Sequence, residues 1–191
     1  IGDYFSKYQQ HIQAGETLQA LDMAQAAYDL STNQLGNAHK TTQTLAFNYA
    51  QLYIKEREIL RDYNADRAIR ILRSYIRYLE EQNPGDALSK IDPLMSIGIA
   101  QLWYPEELLE TKKKFRDSTR RFGGDRLTRS NVEYHIDKGI RAFDEAISIA
   151  PNFLAPKFEA GMIEYQRGNY SSASGYLQDV VSGIPFYAEA H

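Results

Sequence analysis

Apolar and small residues recur at helical spacing in the last third of the chain. One such segment, beginning at Leu154, is followed by the dipeptide Gly168-Asn169 and then by a second helical pattern. Because Gly and Asn together are typical of a tight turn, the pattern predicts two helices joined there. The residues that carry it are Phe158, Ala160, Gly161, Ile163 and Tyr165, then Ala173, Tyr176, Leu177 and Val180.

A related pattern occurs 34 residues earlier. Residues 134–151 align with residues 168–185, so that Phe143 matches Leu177, Ala146 matches Val180, and each segment ends at a proline. A period of this length predicts a repeat protein whose units are helical hairpins. Small residues let the helices approach closely, while large residues fill the space beside them.

At these residues the chain resembles the tetratricopeptide repeat. The matching signature positions are Ala160, Gly161, Tyr165, Gly168, Asn169, Tyr170, Ala173, Leu177 and Pro185. The resemblance implies an all-α fold, a right-handed superhelical solenoid of antiparallel helix pairs. We expect about nine helices, with an irregular middle.

The N-terminal third is similar to the longer repeats of the kinesin-light-chain type. A turn at Gly15 separates a predicted first helix over residues 2–13 from a second helix that carries Ala20, Ala24, Ala27 and Leu30. A connector and a further first helix follow, with matches at Leu35, Gly36, His39, Thr42, Asn48, Ala50 and Tyr53. The proline expected after His39 is absent, so this unit is a variant.

The middle of the chain is less regular. Residues 64–82 predict a second helix whose apolar face carries Ala68, Ile71, Leu72, Tyr75, Ile76 and Leu79. Further helix starts are predicted at Asp92-Pro93, at Pro105 and at the capping box formed by Ser130 and Glu133. We expect one domain over residues 1–191, with regular units at about 1–31, 41–82 and 131–187 and a divergent, insertion-bearing stretch at 86–130.

The composition excludes several classes of protein. The chain has 191 residues, is 43% hydrophobic and 25% charged, and contains no Cys, which excludes disulfides, thiolate metal sites and cysteine nucleophiles. Its net charge of −3 gives no global attraction to nucleic acid or anionic membranes. No run approaches the roughly 20 apolar residues of a membrane span. We therefore expect a soluble chain. Because it begins with Ile1 instead of Met, it is expected to be a fragment, a processed protein or a trimmed one. We expect a segment of a larger bacterial protein, with the periplasm and the cytoplasm both open.

Candidate catalytic and metal-binding residues do not converge. The histidines have no partner at metal-ligand spacing, and the carboxylate doublets point about 100° apart on a helix. The only glycine doublet lacks the rest of a phosphate-binding loop. We therefore expect no enzymatic activity, no cofactor and no metal. The residues considered are His11, His39, His135, His191, Glu80, Glu81, Glu106, Glu107, Gly123 and Gly124.

Two groups of basic residues leave two interpretations open. Residues 112–129 hold eight basic and two acidic residues, and the candidate patch within them is Lys112, Lys113, Lys114, Arg116, Arg120 and Arg121. A second group recurs along one helix at Arg67, Arg70, Arg73 and Arg77. Solvated helix faces are the favoured explanation for both groups. The alternative is a patch for an acidic partner segment, a phospholipid headgroup or, least favoured, RNA.

What the tetratricopeptide resemblance implies is a protein- or peptide-binding scaffold that uses the concave face lined by first helices. Its concave positions, carried over one at a time, are Phe5, Gln9, Thr44, Phe47, Gln51, Ile54, Lys55, Ala155, Phe158, Met162, Tyr165 and Gln166. Aromatic rings, methionine and amides suit an extended or helical peptide. Packing between units is the competing explanation for some of these residues. The alternative function is a peptide-responsive signalling regulator whose effector domain lies outside this chain.

Tyrosine is unusually frequent, with 14 Tyr against 8 Phe and a single Trp. Interfaces between repeats are half-buried, and a ring with a polar tip suits them better than a fully apolar ring. We therefore expect Tyr28, Tyr75 and Tyr176 near interfaces between units, and only Tyr165 to combine a structural role with a binding role.

Overall fold

The computed structural model describes residues 1–60, 64–102 and 129–183, and every regular element within them is helical. This confirms the all-α fold. The described residues contain eight α-helices, close to the predicted number, and one short 3-10 helix. The helices are α1 Gly2–Ala14, α2 Thr17–Leu35, α3 Lys40–Lys55, α4 Ala65–Gln82, α5 at residues 91–102, α6 Arg129–Ile149, α7 Leu154–Gln166 and α8 Tyr170–Gly183.

The chain divides into two compact units, Ile1–Ser96 and Ile97–His191. In unit 1, helices α1 to α4 pack consecutively, each against the next. In unit 2, α6 packs against α7 and α7 packs against α8. Sequential packing of neighbouring helices is what a chain of helical hairpins requires.

Glycines in the left-handed region end three of these helical segments. Gly15, with φ 73°, ends α1, and α2 begins two residues later at Thr17. So short a connection forces the two helices to run antiparallel. Gly168, with φ 80°, does the same between α7 and α8. The predicted turns at Gly15 and at Gly168-Asn169 are therefore confirmed.

The connector between α2 and α3 has the role expected of it. Gly36, with φ 83°, follows the last residue of α2, and His39 is the N-cap of α3. Nδ1 of His39 accepts a hydrogen bond from the backbone N–H of Thr41 at 3.1 Å. Behind this cap, the buried hydroxyls of Ser31 and Thr42 hydrogen-bond at 2.7 Å and join α2 to α3.

Small residues lie where the helices of unit 1 meet. Alanines at 20, 24 and 27 of α2, at 46 and 50 of α3, and at 65 and 68 of α4 are almost fully buried. The larger side chains of Leu72 and Tyr49 fill the space between them, each with no exposed surface. On α4 the predicted face is buried at Ala68 and Leu72 and half-buried at its other positions. Ile69, which the prediction left off this face, is also buried.

Unit 2 uses glycines for the same close approach. A Cβ at Gly161 of α7 would lie 2.7 Å from the side chain of Leu177 on α8, so these helices pack closely. Phe143 of α6 and Val180 of α8 are fully buried, as their repeat positions predict. Of the two prolines that end the aligned segments, Pro151 lies two residues beyond the end of α6, and Pro185 lies outside the described residues.

Two predicted helix starts are wrong by one or two residues. The helix assigned to Asp92-Pro93 already begins at residue 91, because a 3-10 helix, Leu88–Lys90, leads directly into it. Just before this 3-10 helix, the Asp86 carboxylate accepts a hydrogen bond from the backbone N–H of Ser89 at 3.2 Å. Helix α6 begins at Arg129, so Ser130 lies within the helix instead of capping it. The start predicted at Pro105 lies outside the described residues.

Candidate binding surfaces

Three of the predicted binding residues form an exposed polar stripe on α3. Thr44, Gln51 and Lys55 are separated by seven and four residues, which places them on one side of a helix, and all three are exposed. Phe47, beside them, is half-buried, and its ring stacks on Tyr75 of α4 with centroids 4.6 Å apart. Ile54, only 4% exposed, belongs to the core, so its assignment to the binding face is wrong.

A second group of predicted residues shares one face of α7. Phe158 and Met162 are half-buried, while Tyr165 is 56% exposed and Gln166 is also exposed. The Tyr165 ring makes an edge contact with the ring of Tyr170, which is 66% exposed, with centroids 5.6 Å apart. An exposed aromatic pair therefore stands at the end of this face. Ala155, at its beginning, is exposed.

The candidates on α1 are simpler. Gln9 is exposed, and Phe5 is half-buried against Tyr8, with ring centroids 5.8 Å apart. The structure thus places the candidates on three helices, of which α1 and α3 belong to unit 1 and α7 to unit 2.

Charged side chains fix α7 to the helix before it. The Arg167 guanidinium lies 2.6 Å from Glu133, 3.0 Å from Asp137 and 2.9 Å from Glu164. Burial lowers the pKa of Arg167, but the hydrogen bond to Asp137 and the neighbouring carboxylates outweigh it, so the net shift is upward. Glu164 also accepts a hydrogen bond from Nδ2 of Asn169 at 2.7 Å, which ties the turn before α8 to the same cluster.

Two side-chain contacts join positions one repeat apart. Arg167 and Glu133 are separated by 34 residues, and so are His135 and Gln101, whose side chains hydrogen-bond at 2.8 Å. In unit 2, side chains at equivalent positions of successive repeats therefore contact each other. Sequence reasoning missed Arg167, although opposite charges at the repeat offset would have identified it.

A cavity of about 390 Å³ lies among α2, α3 and α4 in unit 1. Its walls include Tyr28, Asn37, Gln43, Arg67, Arg70 and Ser74. The Arg67 guanidinium lies over two tyrosine rings, 5.2 Å from the centroid of Tyr49 and 5.9 Å from that of Tyr53. Burial raises the pKa of Tyr49 to about 12, against a smaller opposing effect of Arg67.

The basic residues of α4 do not share one environment. Arg70, Arg73 and Arg77 are exposed, whereas Arg67 is half-buried against the tyrosines. Only the first two members of the group line the cavity. Solvation is sufficient for Arg73 and Arg77, whereas Arg67 packs on the tyrosine rings, and Arg70, although exposed, also lines the cavity. The other basic patch, residues 112–121, lies outside the described residues and stays a prediction.

Half-buried tyrosines lie at the predicted helix contacts. Tyr28 of α2 stacks on Tyr49 of α3 with centroids 6.1 Å apart, and Tyr75 stacks on Phe47. The Tyr176 hydroxyl donates to Asp144 of α6 at 2.7 Å. These contacts agree with a structural role for the tyrosines of the second helices.

Within residues 1–60, 64–102 and 129–183, no group of three or more His, Cys, Asp or Glu residues has the arrangement of a metal site. In the same part of the chain, no helix has the length and apolar character needed to cross a membrane.

No protein-family profile and no curated protein matches this chain. Among solved structures it is similar to the MamA RS-1 ArsTM double mutant, at 12% identity over 94% of this chain and 91% of that one, with a TM-score of 0.45. It is also similar to a putative kinesin light chain from Podosopora anserina with nearly identical TPR-like repeats, at 13% identity over 94% and 92% of the two chains, with a TM-score of 0.43. A second MamA structure has 15% identity over 98% and 93%, with a TM-score of 0.35. The chain has a tetratricopeptide-like helical repeat fold, because it consists of helical hairpins with glycine turns and close contacts at small residues.

Proposed function

We propose that this chain is a non-enzymatic scaffold that binds a peptide or protein segment on the exposed face of a first helix, with one such face on α3 of unit 1 and another on α7 of unit 2. The observation that carries the proposal is the exposed Tyr165–Tyr170 pair, which continues the face formed by Phe158 and Met162. Exposed aromatic rings next to half-buried apolar side chains are typical anchors for a partner.

The energetic gain from such an anchor is appreciable. More than half of the Tyr165 surface is exposed, at 56%. Covering that area with a partner would contribute about 2–3 kcal/mol before the entropic cost of association is subtracted. One ring of this kind gives weak binding, so further contacts along the face are needed for a specific complex.

The α3 stripe offers complementary polar contacts. The Gln51 amide both donates and accepts hydrogen bonds, and the Lys55 ammonium donates to carbonyl or carboxylate oxygens. These groups suit the backbone and the acidic side chains of an extended peptide. Since Thr44, Gln51 and Lys55 are exposed, substituting them should change binding with little effect on folding.

Peptide selection on the purified chain tests this proposal. A random peptide library is selected on the immobilised chain, and the affinity of an enriched peptide is measured by fluorescence anisotropy. We expect Tyr165→Ala to weaken binding about tenfold or more, since truncation of an aromatic anchor costs 2 kcal/mol or more. The matched control is Gln178→Ala, at an exposed position of α8.

The melting temperatures of both variants accompany the affinity measurement. A loss of affinity in Tyr165→Ala without a loss of stability, and an unchanged affinity in the control, support the proposal. If Tyr165→Ala and the double variant Gln51→Ala with Lys55→Ala both bind as well as the original chain, neither face is the binding surface.

A further inference from the structure

We propose that the cavity among α2, α3 and α4 is a second binding site, one that takes an acidic residue of a partner peptide through its side-chain carboxylate. This site is separate from the first-helix faces and does not depend on them. It accounts for Arg67 and Arg70, the two basic side chains that line the cavity.

The two guanidinium groups provide the positive end of the site. Among the described residues, no carboxylate lies within ion-pair distance of Arg67 or Arg70, although Lys7, Lys90, Lys157 and Arg167 all have such a partner. Arg67 is held instead by the faces of Tyr49 and Tyr53. Aromatic faces orient a guanidinium without occupying its N–H donors, so these remain available for an oxyanion.

Gln43 is a fixed, uncharged part of the cavity lining. Its Nε2 donates to the backbone oxygen of Asn37 at 2.6 Å, which holds the amide in place. Only 5% of the residue is exposed and Oε1 is buried, so this oxygen is not accessible to a ligand. Gln43 therefore reports on the occupancy of the cavity without taking part in recognition.

The size and the remaining polar groups of the cavity fit such a ligand. Its volume of about 390 Å³ is within the usual range for small-ligand pockets and can hold an amino-acid residue with its flanking peptide groups. Tyr28 and Ser74, whose side chains carry hydroxyls, also line the cavity. The planar N–H donors of two guanidinium groups match the geometry of a carboxylate.

The site faces a different direction from the α3 stripe. Successive residues of a helix are rotated by about 100°, so Gln43 and the neighbouring Thr44 point away from each other. Gln43 is buried in the cavity wall while Thr44, Gln51 and Lys55 are exposed on the stripe. A peptide on the first-helix face would therefore leave the cavity accessible.

Nuclear magnetic resonance titration of the full chain tests the site. The probe is glutamate with an N-acetyl group and a C-terminal N-methylamide, which has one side-chain carboxylate and two amide N–H groups. The corresponding glutamine derivative is the uncharged control, N-acetylglutamate with a free α-carboxylate tests a chain-terminal source, and inorganic phosphate tests a simple anion. We expect saturable shifts of the Gln43 side-chain amide resonances with the first probe and much weaker binding of the glutamine derivative.

Matched variants on α4 locate the site. Arg70 is exposed and lines the cavity, whereas Arg73 is equally exposed but is not part of the lining. We expect Arg70→Gln to raise the dissociation constant about three- to tenfold, and Arg73→Gln to leave it unchanged. Equal effects of the two variants, no saturable shift at Gln43, or phosphate binding as tightly as the capped glutamate would each overturn the proposal.

Discussion

The ring of Phe143 on α6 occupies the space beside Gly98 on α5, where a Cβ would lie 2.4 Å from the ring carbon Cε1. The close approach continues along the two helices, since a Cβ at Gly139 would lie 3.2 Å from the backbone oxygen of Gly98. Gly98, Gly139 and Phe143 all lie in unit 2, although residues 103–128 separate the two helices in sequence.

Replacing Gly98 should therefore destabilise the protein. Phe143 has no exposed surface, so its ring has no free space into which to move. We expect Gly98→Ala to lower the free energy of unfolding by about 1–3 kcal/mol through overpacking. Chemical denaturation measures this change.

Gly175→Ala is the control for that experiment. Gly175 lies within α8, and a Cβ there would have no neighbour within 4 Å. Because alanine favours helix, we expect this variant to be as stable as the original chain or up to about 1 kcal/mol more stable. If Gly98→Ala and Gly175→Ala have the same free energy of unfolding, the packing of Phe143 does not exclude a side chain at position 98.

Removing Arg167 should destabilise unit 2. The variant Arg167→Ala leaves Glu133, Asp137 and Glu164 close together without their shared cation, and Glu164 is only 6% exposed. We expect a loss of about 2 kcal/mol in the free energy of unfolding near neutral pH, since an unpaired buried charge remains. The loss should become smaller when Glu164→Gln is added, because the amide leaves no buried charge unpaired.

Arg141→Ala provides the comparison, because Arg141 is exposed on α6. Its removal should change the free energy of unfolding by less than about 0.5 kcal/mol. A loss for Arg167→Ala that Glu164→Gln does not reduce would show that lost packing, and not the charge cluster, is responsible.

Alkaline pH should lower the stability of the protein, because the buried Tyr49 phenol resists ionisation in the folded state. Burial raises the pKa of Tyr49 to about 12, above its ordinary value of 10.0, so the folded state favours the neutral phenol. The stability that this preference contributes is complete below the unfolded value and is lost as the pH rises toward the folded value. We expect the free energy of unfolding to fall between about pH 10 and pH 12.

The variant Tyr49→Phe should reduce that pH dependence. The Tyr49 hydroxyl makes only a long hydrogen bond, 3.4 Å to Oε1 of Gln25, so its removal should cost little at neutral pH. Urea denaturation at several alkaline pH values compares it with Tyr165→Phe at an exposed position. An identical decline in the original chain and in Tyr49→Phe would contradict the assignment.

Much of the helical architecture can be predicted from local patterns. The spacing of Ala160, Gly161, Ala173 and Val180, with the turn at Gly168, identifies α7 and α8 because each signal acts over a few residues. The connector at His39 is predicted by the resemblance to the longer repeats, but its role as the N-cap of α3 is seen only in the structure. The first residue of a helix is harder to predict. The 3-10 helix Leu88–Lys90 leads directly into α5, which therefore begins before the predicted start at Asp92-Pro93.

The contacts that define the cavity could not be predicted in this way. Arg67 appeared to be one member of a solvated stripe, and only the tertiary structure places it over Tyr49 and Tyr53. The buried amide of Gln43 likewise depends on Asn37, which lies in a connector. The arginines of α4 are the same type of residue, so the sequence does not indicate which of them will pack against another helix.

The most direct test of the central claim is site-specific photo-crosslinking of a selected peptide to the full chain. Benzoylphenylalanine is introduced in separate proteins at Tyr165 of α7 and at Gln178 of α8, both of which are exposed. We expect the peptide to crosslink from position 165 and not from position 178, with unlabelled peptide suppressing the product. Crosslinking that is equal at both positions, or confined to position 178, would contradict peptide binding on the first-helix face.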